Sequence, residues 1–220
     1  SSLKQIIFVK MNLIDSIIDT STKLFKNQGI KDVKMDDISS ALGISKRTLY
    51  ETTQSRNELI KLCCKNYAMQ LKIKFESVLN KEYCSTFERI LTLNELYIRH
   101  IHDTHKSFLE ELKKNAQCNP KKKEFNELQF EYFERLLKEG QESRDGKLAE
   151  IDPSLRPEIL SRLLVSQLKA VVQDPMFDYT RMSYFDVYST SWRIFMRGIA
   201  TEHGQKVIEE WIANNHKMTL

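Results

Sequence analysis

Glycine and proline are scarce in this chain, which has 6 glycines and 4 prolines in 220 residues. Proteins built from β-sheets need many tight turns, and those turns are usually made with glycine and proline. The scarcity therefore favours long helices and predicts an all-α protein. No uninterrupted apolar run approaches the roughly 20 residues of a membrane-spanning helix, and the first ten residues lack the pattern of a signal peptide.

Cysteines are few and follow no metal-binding pattern. Cys63 and Cys64 are adjacent, whereas Cys84 and Cys118 stand alone, so no pair has the spacing of a zinc site. Without an export signal, we expect reduced thiols and a cytoplasmic protein. We expect Cys63 and Cys64 to be buried and inert, with oxidation sensing as the alternative.

Three histidines close together in sequence are the remaining candidate metal ligands. If residues 100–105 are helical, at about 100° per residue, His102 lies about 200° and His105 about 140° around the helix from His100. Ligands spread so widely do not converge on one ion. We therefore expect surface or core histidines, no metal site and no cofactor.

Catalytic patterns are absent from the sequence as well. No nucleophile and base stand in a recognisable motif, and no glycine-rich loop is suited to cradle a phosphate. The sequence therefore predicts that the protein is not an enzyme. A formal net charge of +4 permits nucleic-acid binding but does not argue for it, so local patterns must decide the function.

Three short helical patterns follow one another near the start of the chain. Apolar residues recur with helical spacing over residues 12–29, where Gly29 is placed to end the helix. The next pattern, MDDISSALG, begins with aspartates and closes at Gly43. Ser45 is then placed to cap a third helix in which Leu49 faces inward. Short helices joined by a glycine turn predict a helix-turn-helix unit.

Longer helical patterns fill the rest of the chain. Ser55 and Glu58 have the spacing of a capping box, which predicts the start of a fourth helix running to about residue 79. The segment 139–153 holds two glycines and a proline and is predicted to be a loop. Four further amphipathic stretches are predicted to be helices, over residues 85–105, 121–142, 154–173 and 183–201.

The run from residue 24 to residue 60 resembles the DNA-binding domain of the tetracycline-repressor-like (TetR) family of regulators. The matching positions keep their order and spacing without a gap: Leu24, Phe25, Gly29, Ile38, Ala41, Gly43, Ile44, Ser45, Lys46, Thr48, Leu49, Tyr50, Ser55 and Leu59. The resemblance implies a helix-turn-helix domain over residues 11–54 and a helical effector-binding and dimerisation domain over residues 55–220.

Three positions depart from the family pattern. Lys34 stands where the family usually has Thr or Ser to cap the second helix, and an ammonium cannot accept the capping hydrogen bond. Thr52 and Thr53 stand where an aromatic residue or His and then Phe are usual. Arg56 replaces the common Lys, which keeps the charge but changes its geometry. These departures concern the phosphate contacts rather than the fold.

The third helix is predicted to enter the major groove of DNA. Arg47 is suited to pair bidentately with a guanine edge, and Thr48 to contact a thymine methyl or a phosphate. The other predicted contacts position the DNA backbone. The complete predicted set is Lys34, Ser45, Lys46, Arg47, Thr48, Tyr50, Thr52 and Arg56. The alternative is an ordinary solvated polar face.

The last two long helical patterns are predicted to form a homodimer interface, in agreement with the resemblance. One stripe of the later helix, formed by Tyr188, Trp192, Phe195 and Ile199, suffices to face the protomer's own core. A helix that is also apolar or small on a second face needs a second partner. The predicted interface residues are Leu164, Leu168, Val187, Ser191, Ile194 and Gly198. The alternative is a helix buried inside a monomer.

The resemblance also implies an effector cavity among the central helices. Amides interrupt the apolar stripes of three long helical patterns, and each must find a hydrogen-bond partner. The predicted cavity residues are Asn94, Tyr97, Phe108, Gln129, Phe133 and Gln167. Because these stripes contain no Arg or Lys, a strongly anionic effector is disfavoured. The alternative to a cavity is a solid core, in which the amides bond to each other or to the backbone.

Together these features predict a ligand-responsive transcriptional regulator. It is expected to be a homodimeric repressor that leaves a palindromic double-stranded operator when a small, mostly apolar effector binds. The alternative from another class is a helical protein-interaction module whose DNA binding is weakened.

Overall fold

Helices form the secondary structure of the described residues, apart from one isolated β-bridge between Ile151 and Ala200. The helices are α1 (Ser2–Gln28), α2 (Met35–Leu42), α3 (Lys46–Thr53), α4 (Arg56–Leu79), α5 (Thr86–His102), α6 (Lys106–Gln117), α7 (Lys121–Gln141), α8 (Pro157–Gln173), α9 (Tyr184–Ile199) and α10 (Glu202–Asn214). The computed structural model describes residues 2–80, 85–117, 121–143, 148–173, 182 and 184–214, and side chains within 12–80, 85–114, 130–143, 148–167, 170, 182 and 186–214. The predicted all-α class is confirmed.

The chain folds as two compact units. The first comprises Ser1–Asn80 and Asn94–Pro120, and the second comprises Lys81–Leu93 and Lys121–Leu220. The first unit thus contains α1 to α4, the second half of α5, and α6. The second unit contains the first half of α5 and α7 to α10.

A buried apolar core holds the first unit together. The side chains of Phe25, Ile38, Leu49 and Leu59 are fully buried, and they come from α1, α2, α3 and α4 respectively. Phe108 of α6 joins the same core, with its ring 6.4 Å from that of Phe25. The helix-turn-helix therefore shares its core with a helix more than forty residues further along the chain.

The turn between α5 and α6 is fastened to the end of α1. The His105 backbone N–H donates to the Lys26 carbonyl at 2.7 Å, and the Ile30 N–H donates to the Ser107 hydroxyl at 3.1 Å. Gly29 lies between these contacts with φ +90°, and a Cβ at this position would lie 2.5 Å from Nδ1 of His105. Glycine is required here by both its backbone conformation and its close neighbours.

The loop residue Glu150 connects several elements of the second unit. Its carboxylate accepts from the Thr86 and Phe87 N–H groups, at 3.0 and 2.7 Å, and so caps the start of α5. Its carbonyl accepts from the Thr201 N–H at 2.9 Å. A Cβ on Gly204, in the first turn of α10, would lie 2.0 Å from the same carbonyl oxygen. Only a residue without a side chain lets α10 approach the loop this closely.

Several predicted boundaries were wrong or incomplete. Helix α1 begins about ten residues earlier than predicted, and α6 and α10 were missed. In α6 few apolar residues stand among lysines and glutamates, and in α10 a glycine near the start resembles a break. The predicted core stripe of α9 also needs correction, because Met196 is fully buried whereas Phe195 is only half-buried.

Candidate nucleic-acid interface

The turn between α2 and α3 is made by a glycine. Gly43 ends α2 with φ 64° and ψ 28°, the left-handed conformation that favours glycine. Its N–H donates to the Ser40 carbonyl at 3.2 Å, and the next N–H, from Ile44, donates to the Ser39 carbonyl at 3.0 Å. The predicted glycine turn of a helix-turn-helix is confirmed.

The start of α2 shows how the chain compensates for the missing hydroxyl cap. Lys34 occupies the cap position, where its side chain makes no capping hydrogen bond. Its backbone N–H instead donates to Oδ2 of Asp37 at 2.7 Å. The carboxylate also lies in the first turn, where negative charge is favourable. The Lys34 side chain remains exposed.

The start of α3 is capped as predicted. The Ser45 hydroxyl accepts from the Thr48 N–H at 3.0 Å, and the two hydroxyl groups of these residues lie 2.8 Å apart. The Thr52 hydroxyl donates to the Thr48 carbonyl at 2.8 Å. These three hydroxyl groups, all predicted to contact DNA, are therefore engaged locally in the free protein.

The exposed face of α3 carries both cations of the helix, and each is paired with a carboxylate. The Lys46 ammonium lies 2.8 Å from Asp36, and this hydrogen bond raises the pKa of Lys46. Arg47 donates from Nε to Oε1 of Glu51 at 2.7 Å. The Tyr50 side chain is also exposed. Glu51, which the sequence analysis did not single out, therefore belongs to this face, and its spacing from Arg47 was the signal that would have revealed it.

A groove of about 450 Å³ runs beside this face. It is rich in cations and holds one carboxylate, and its lining is Ile30, Lys31, Val33, Lys34, Met35, Asp36, Lys46, Tyr50 and Arg56. The groove brings four of the predicted DNA contacts together around one opening. Its positive charge is suited to an anion such as a DNA phosphate.

Arg56 has a structural role that the sequence analysis missed. Its Nη2 donates to the carbonyls of Ile30 and Val33, the latter at 3.0 Å, and its guanidinium lies 5.8 Å from the centre of the Phe25 ring. These contacts fasten the loop between α1 and α2 to the start of α4. A phosphate contact by Arg56 stays a prediction.

The predicted dimer residues divide between surface and core. Ile194 is 70% exposed, Gly198 is exposed with no atom within 4 Å of a Cβ position, and Val187 and Ser191 are half-buried. Leu164 is fully buried, so it packs inside its own unit and does not lie on a surface open to a second chain. The exposed apolar residues of α8 are instead Ile159 and Leu163, and the side chain of Leu168 lies outside the described residues.

The predicted effector residues lie in both units. Asn94, Tyr97 and Phe108 are in the first unit, and Phe133 and Gln167 are in the second. Phe108 is fully buried in the helix-turn-helix core, where its ring packs edge-on against Tyr67 at 5.3 Å. It therefore packs inside the core and does not line a cavity. The Gln167 amide donates to the Ser191 hydroxyl of α9. The side chain of Gln129 lies outside the described residues.

The titratable groups buried in the first unit are held neutral. Cys63 and Cys64 are buried, as predicted, and burial raises the pKa of each thiol to about 12. His100 stacks on the Tyr67 ring at 3.9 Å, and burial together with nearby lysines lowers its pKa to about 4. His102 and His105 are exposed. None of the described helices is long and apolar enough to cross a membrane.

Comparisons with known proteins agree with this geometry. The sequence model described as "Bacterial regulatory proteins, tetR family" matches residues 17–63. No curated protein sequence matches the chain.

Solved structures match over most of the chain at low identity. A TetR-family transcriptional regulator from Marinobacter aquaeolei VT8 is 16% identical, with a TM-score of 0.63 over 93% of this chain and 98% of that one. A TetR/AcrR-family regulator from Thermobifida fusca YX-ER1 is 20% identical, with a TM-score of 0.55 over 85% and 98%. SmeT, the repressor of the Stenotrophomonas maltophilia efflux pump SmeDEF, is 12% identical, with a TM-score of 0.56 over 86% and 91%. Residues 17–63 therefore match the sequence model of the tetR family, and the chain has the fold of TetR-family transcriptional regulators.

Proposed function

We propose that the protein is a transcriptional repressor that binds a DNA operator through α3. The observation that supports this most directly is the exposed face of α3, which presents Lys46, Arg47 and Tyr50 after a glycine turn and a serine cap. A recognition helix of a helix-turn-helix protein lies in the major groove, with its first residues at the base edges. Arg47 is then placed to read bases, and the cationic groove is placed to contact a phosphate.

Two copies of the chain are needed to engage a palindromic operator. Recognition helices of a dimer enter successive major grooves when they lie about 34–36 Å apart. We propose that the exposed apolar surface of α8 and α9, with Ile159, Leu163, Ile194 and Gly198, forms the two-fold interface. Contiguous exposed apolar patches mark protein–protein interfaces, and a two-fold interface uses the same patch of both chains.

We further propose that a small, mostly apolar molecule releases the operator. SmeT, which has the same fold, is known in complex with triclosan. Among the predicted amides, that of Gln167 donates a hydrogen bond to the Ser191 hydroxyl. A ligand that takes over the Gln167 amide would separate α8 from α9 at this bond and so favour another conformation.

The effector proposal is tested with Gln167→Leu, which removes the amide and keeps the side-chain size. Operator binding should be unchanged, while release by an effector found in a small-molecule screen should need a higher concentration. Ser161→Ala, at a buried hydroxyl on the same helix, is the matched control and should leave release unchanged. Unchanged release in Gln167→Leu would place the effector elsewhere.

A second candidate is a protein-interaction module with weakened DNA binding. It is favoured by one observation, the neutralisation of Lys46 and Arg47 by Asp36 and Glu51. The two candidates are separated by selecting bound duplexes from a random double-stranded DNA library with the full chain. A repressor enriches a palindromic sequence, whereas an interaction module enriches none.

A further inference from the structure

The centre of the exposed surface of α3 is the carboxylate of Glu51. Leu49 and Thr53 are the buried residues of this helix. At about 100° per residue, Glu51 lies about 160° around the helix from each of them. Glu51 therefore points directly away from the core, with Arg47 one turn before it.

A carboxylate in this place is unfavourable for binding to the DNA backbone. DNA affinity that is independent of sequence comes from cations that neutralise phosphates, and an anion opposes it. The pair that Glu51 forms with Arg47 adds little to folding stability either, because the two side chains are 61% and 86% exposed to water. Neither stability nor general DNA affinity accounts for Glu51.

The geometry of the pair is suited to base reading. Glu51 accepts from Nε of Arg47 at 2.7 Å, which leaves the two terminal nitrogens of the guanidinium for another partner. Guanine offers O6 and N7 side by side in the major groove, and arginine pairs with both at once. An arginine held at Nε loses less conformational freedom when it makes these two bonds.

We propose that Glu51 is a specificity-determining residue that positions Arg47 for guanine and opposes binding through phosphates alone. This inference rests on the proposed DNA-binding function. It requires a guanine in each operator half-site at the position that Arg47 reaches. It also requires that removal of the carboxylate lowers the preference for that guanine while it strengthens binding to unrelated DNA.

The test compares Glu51→Ala with a matched control, Glu95→Ala. Glu95 pairs with Nε of Arg99 at 2.7 Å, also one helical turn away, but on α5. Wild-type protein first selects a sequence from a random duplex library. Dissociation constants are then measured at several salt concentrations for the selected duplex, the same duplex with the guanine pair replaced by an adenine pair, and a random duplex.

Wild type should prefer the guanine duplex roughly 5–150-fold, the range of one bidentate contact. Glu51→Ala should lower this ratio roughly 2–13-fold, the gain from holding one side chain in place, and should bind the random duplex more tightly. Glu95→Ala should behave as wild type. In an Arg47→Ala background, Glu51→Ala should leave the ratio unchanged. Glu51→Met, which keeps the side-chain length but offers neither a carboxylate nor an amide oxygen to Nε of Arg47, provides the same test if Glu51→Ala does not fold.

Three results would overturn the inference and leave the proposed function intact. The first is tighter binding of Glu51→Ala to every duplex by one factor, which would make the carboxylate a simple repulsive charge. The second is the same change of ratio in Glu95→Ala. The third is that Glu51→Ala still lowers the preference for the guanine duplex in the Arg47→Ala background. If wild type enriches no sequence from the library, the proposed function fails together with the inference.

Discussion

Replacement of Ile194 by glutamate should convert the proposed dimer into a folded monomer. Ile194 is 70% exposed in the single chain, so its replacement should change the stability of the protomer by less than about 0.5 kcal/mol. In a two-fold interface the same side chain is buried. The substitution therefore separates association from folding.

The magnitude follows from the exposed surface. Full burial of an isoleucine side chain contributes about 1.5–3 kcal/mol, so covering the 70% that is exposed contributes about 1–2 kcal/mol. Because each protomer of a two-fold dimer supplies one copy, the dimer loses about 2–4 kcal/mol, or roughly 30–1,000-fold in dissociation constant. A buried carboxylate increases the loss further.

The assay is multi-angle light scattering over a dilution series. Leu148→Glu is the matched control, because Leu148 is 64% exposed but lies in the loop before α8. Gly198→Ala is an independent test. In the monomer, alanine in place of glycine within a helix should raise the unfolding free energy by about 0.5–1 kcal/mol. If a partner helix packs closely against Gly198, the added methyl group should instead weaken the dimer. If Ile194→Glu dimerises as tightly as wild type, or if wild type is monomeric at all concentrations, the interface assignment is wrong.

Three further predictions concern DNA contact and stability. Arg47→Ala should cost about 1–3 kcal/mol of operator affinity in each half-site and relax base preference at one position there. Lys46→Ala should weaken binding to all sequences and lower the salt slope by about 1 per half-site. If both variants bind as wild type does, the contact assignment is wrong. Gly204→Ala should lower the free energy of unfolding, measured in urea, by about 1–3 kcal/mol, because the alanine Cβ would lie 2.0 Å from the Glu150 carbonyl oxygen. An unchanged urea midpoint of unfolding would contradict this packing. Burial lowers the pKa of His100 from 6.5 to about 4. The folded protein should therefore be fully stable above pH 6.5 and lose up to about 3 kcal/mol as the pH drops to 4, because only the unfolded chain takes up the proton in this range. His100→Phe should flatten this pH dependence in urea titrations, and an equal slope in both proteins would refute the prediction.

The features predicted correctly are those set by neighbouring residues in sequence. Ser45 caps α3, Gly43 makes the turn before it, and Leu49 is buried, all as predicted. Each depends on contacts within about four residues, where hydroxyl groups, left-handed glycines and helical spacing act directly. The pair of Arg47 and Glu51 is equally local, because residues four apart on a helix lie one turn from each other.

The features that escaped prediction depend on residues far apart in the chain. Glu150 caps the start of α5 from 64 residues away, and no local pattern marks a carboxylate for that role. Gly204 resembles a helix break until the Glu150 carbonyl against it is seen. Phe108 has the same helical spacing whether it lines a cavity or fills a core, and only its packing against Phe25 and Tyr67 distinguishes the two.

The fastening of the α5–α6 turn to the end of α1 limits how this protein can be recombined with its relatives. A chimera that joined a foreign helix-turn-helix to this chain after residue 55 would keep Phe108 and His105 but lose the surfaces that receive them, Phe25 and the backbone at Lys26. A graft that also exchanged residues 94–120 would carry both sides of each contact. A graft of α1 to α3 between proteins of this fold should therefore stay folded only when this discontinuous segment travels with it.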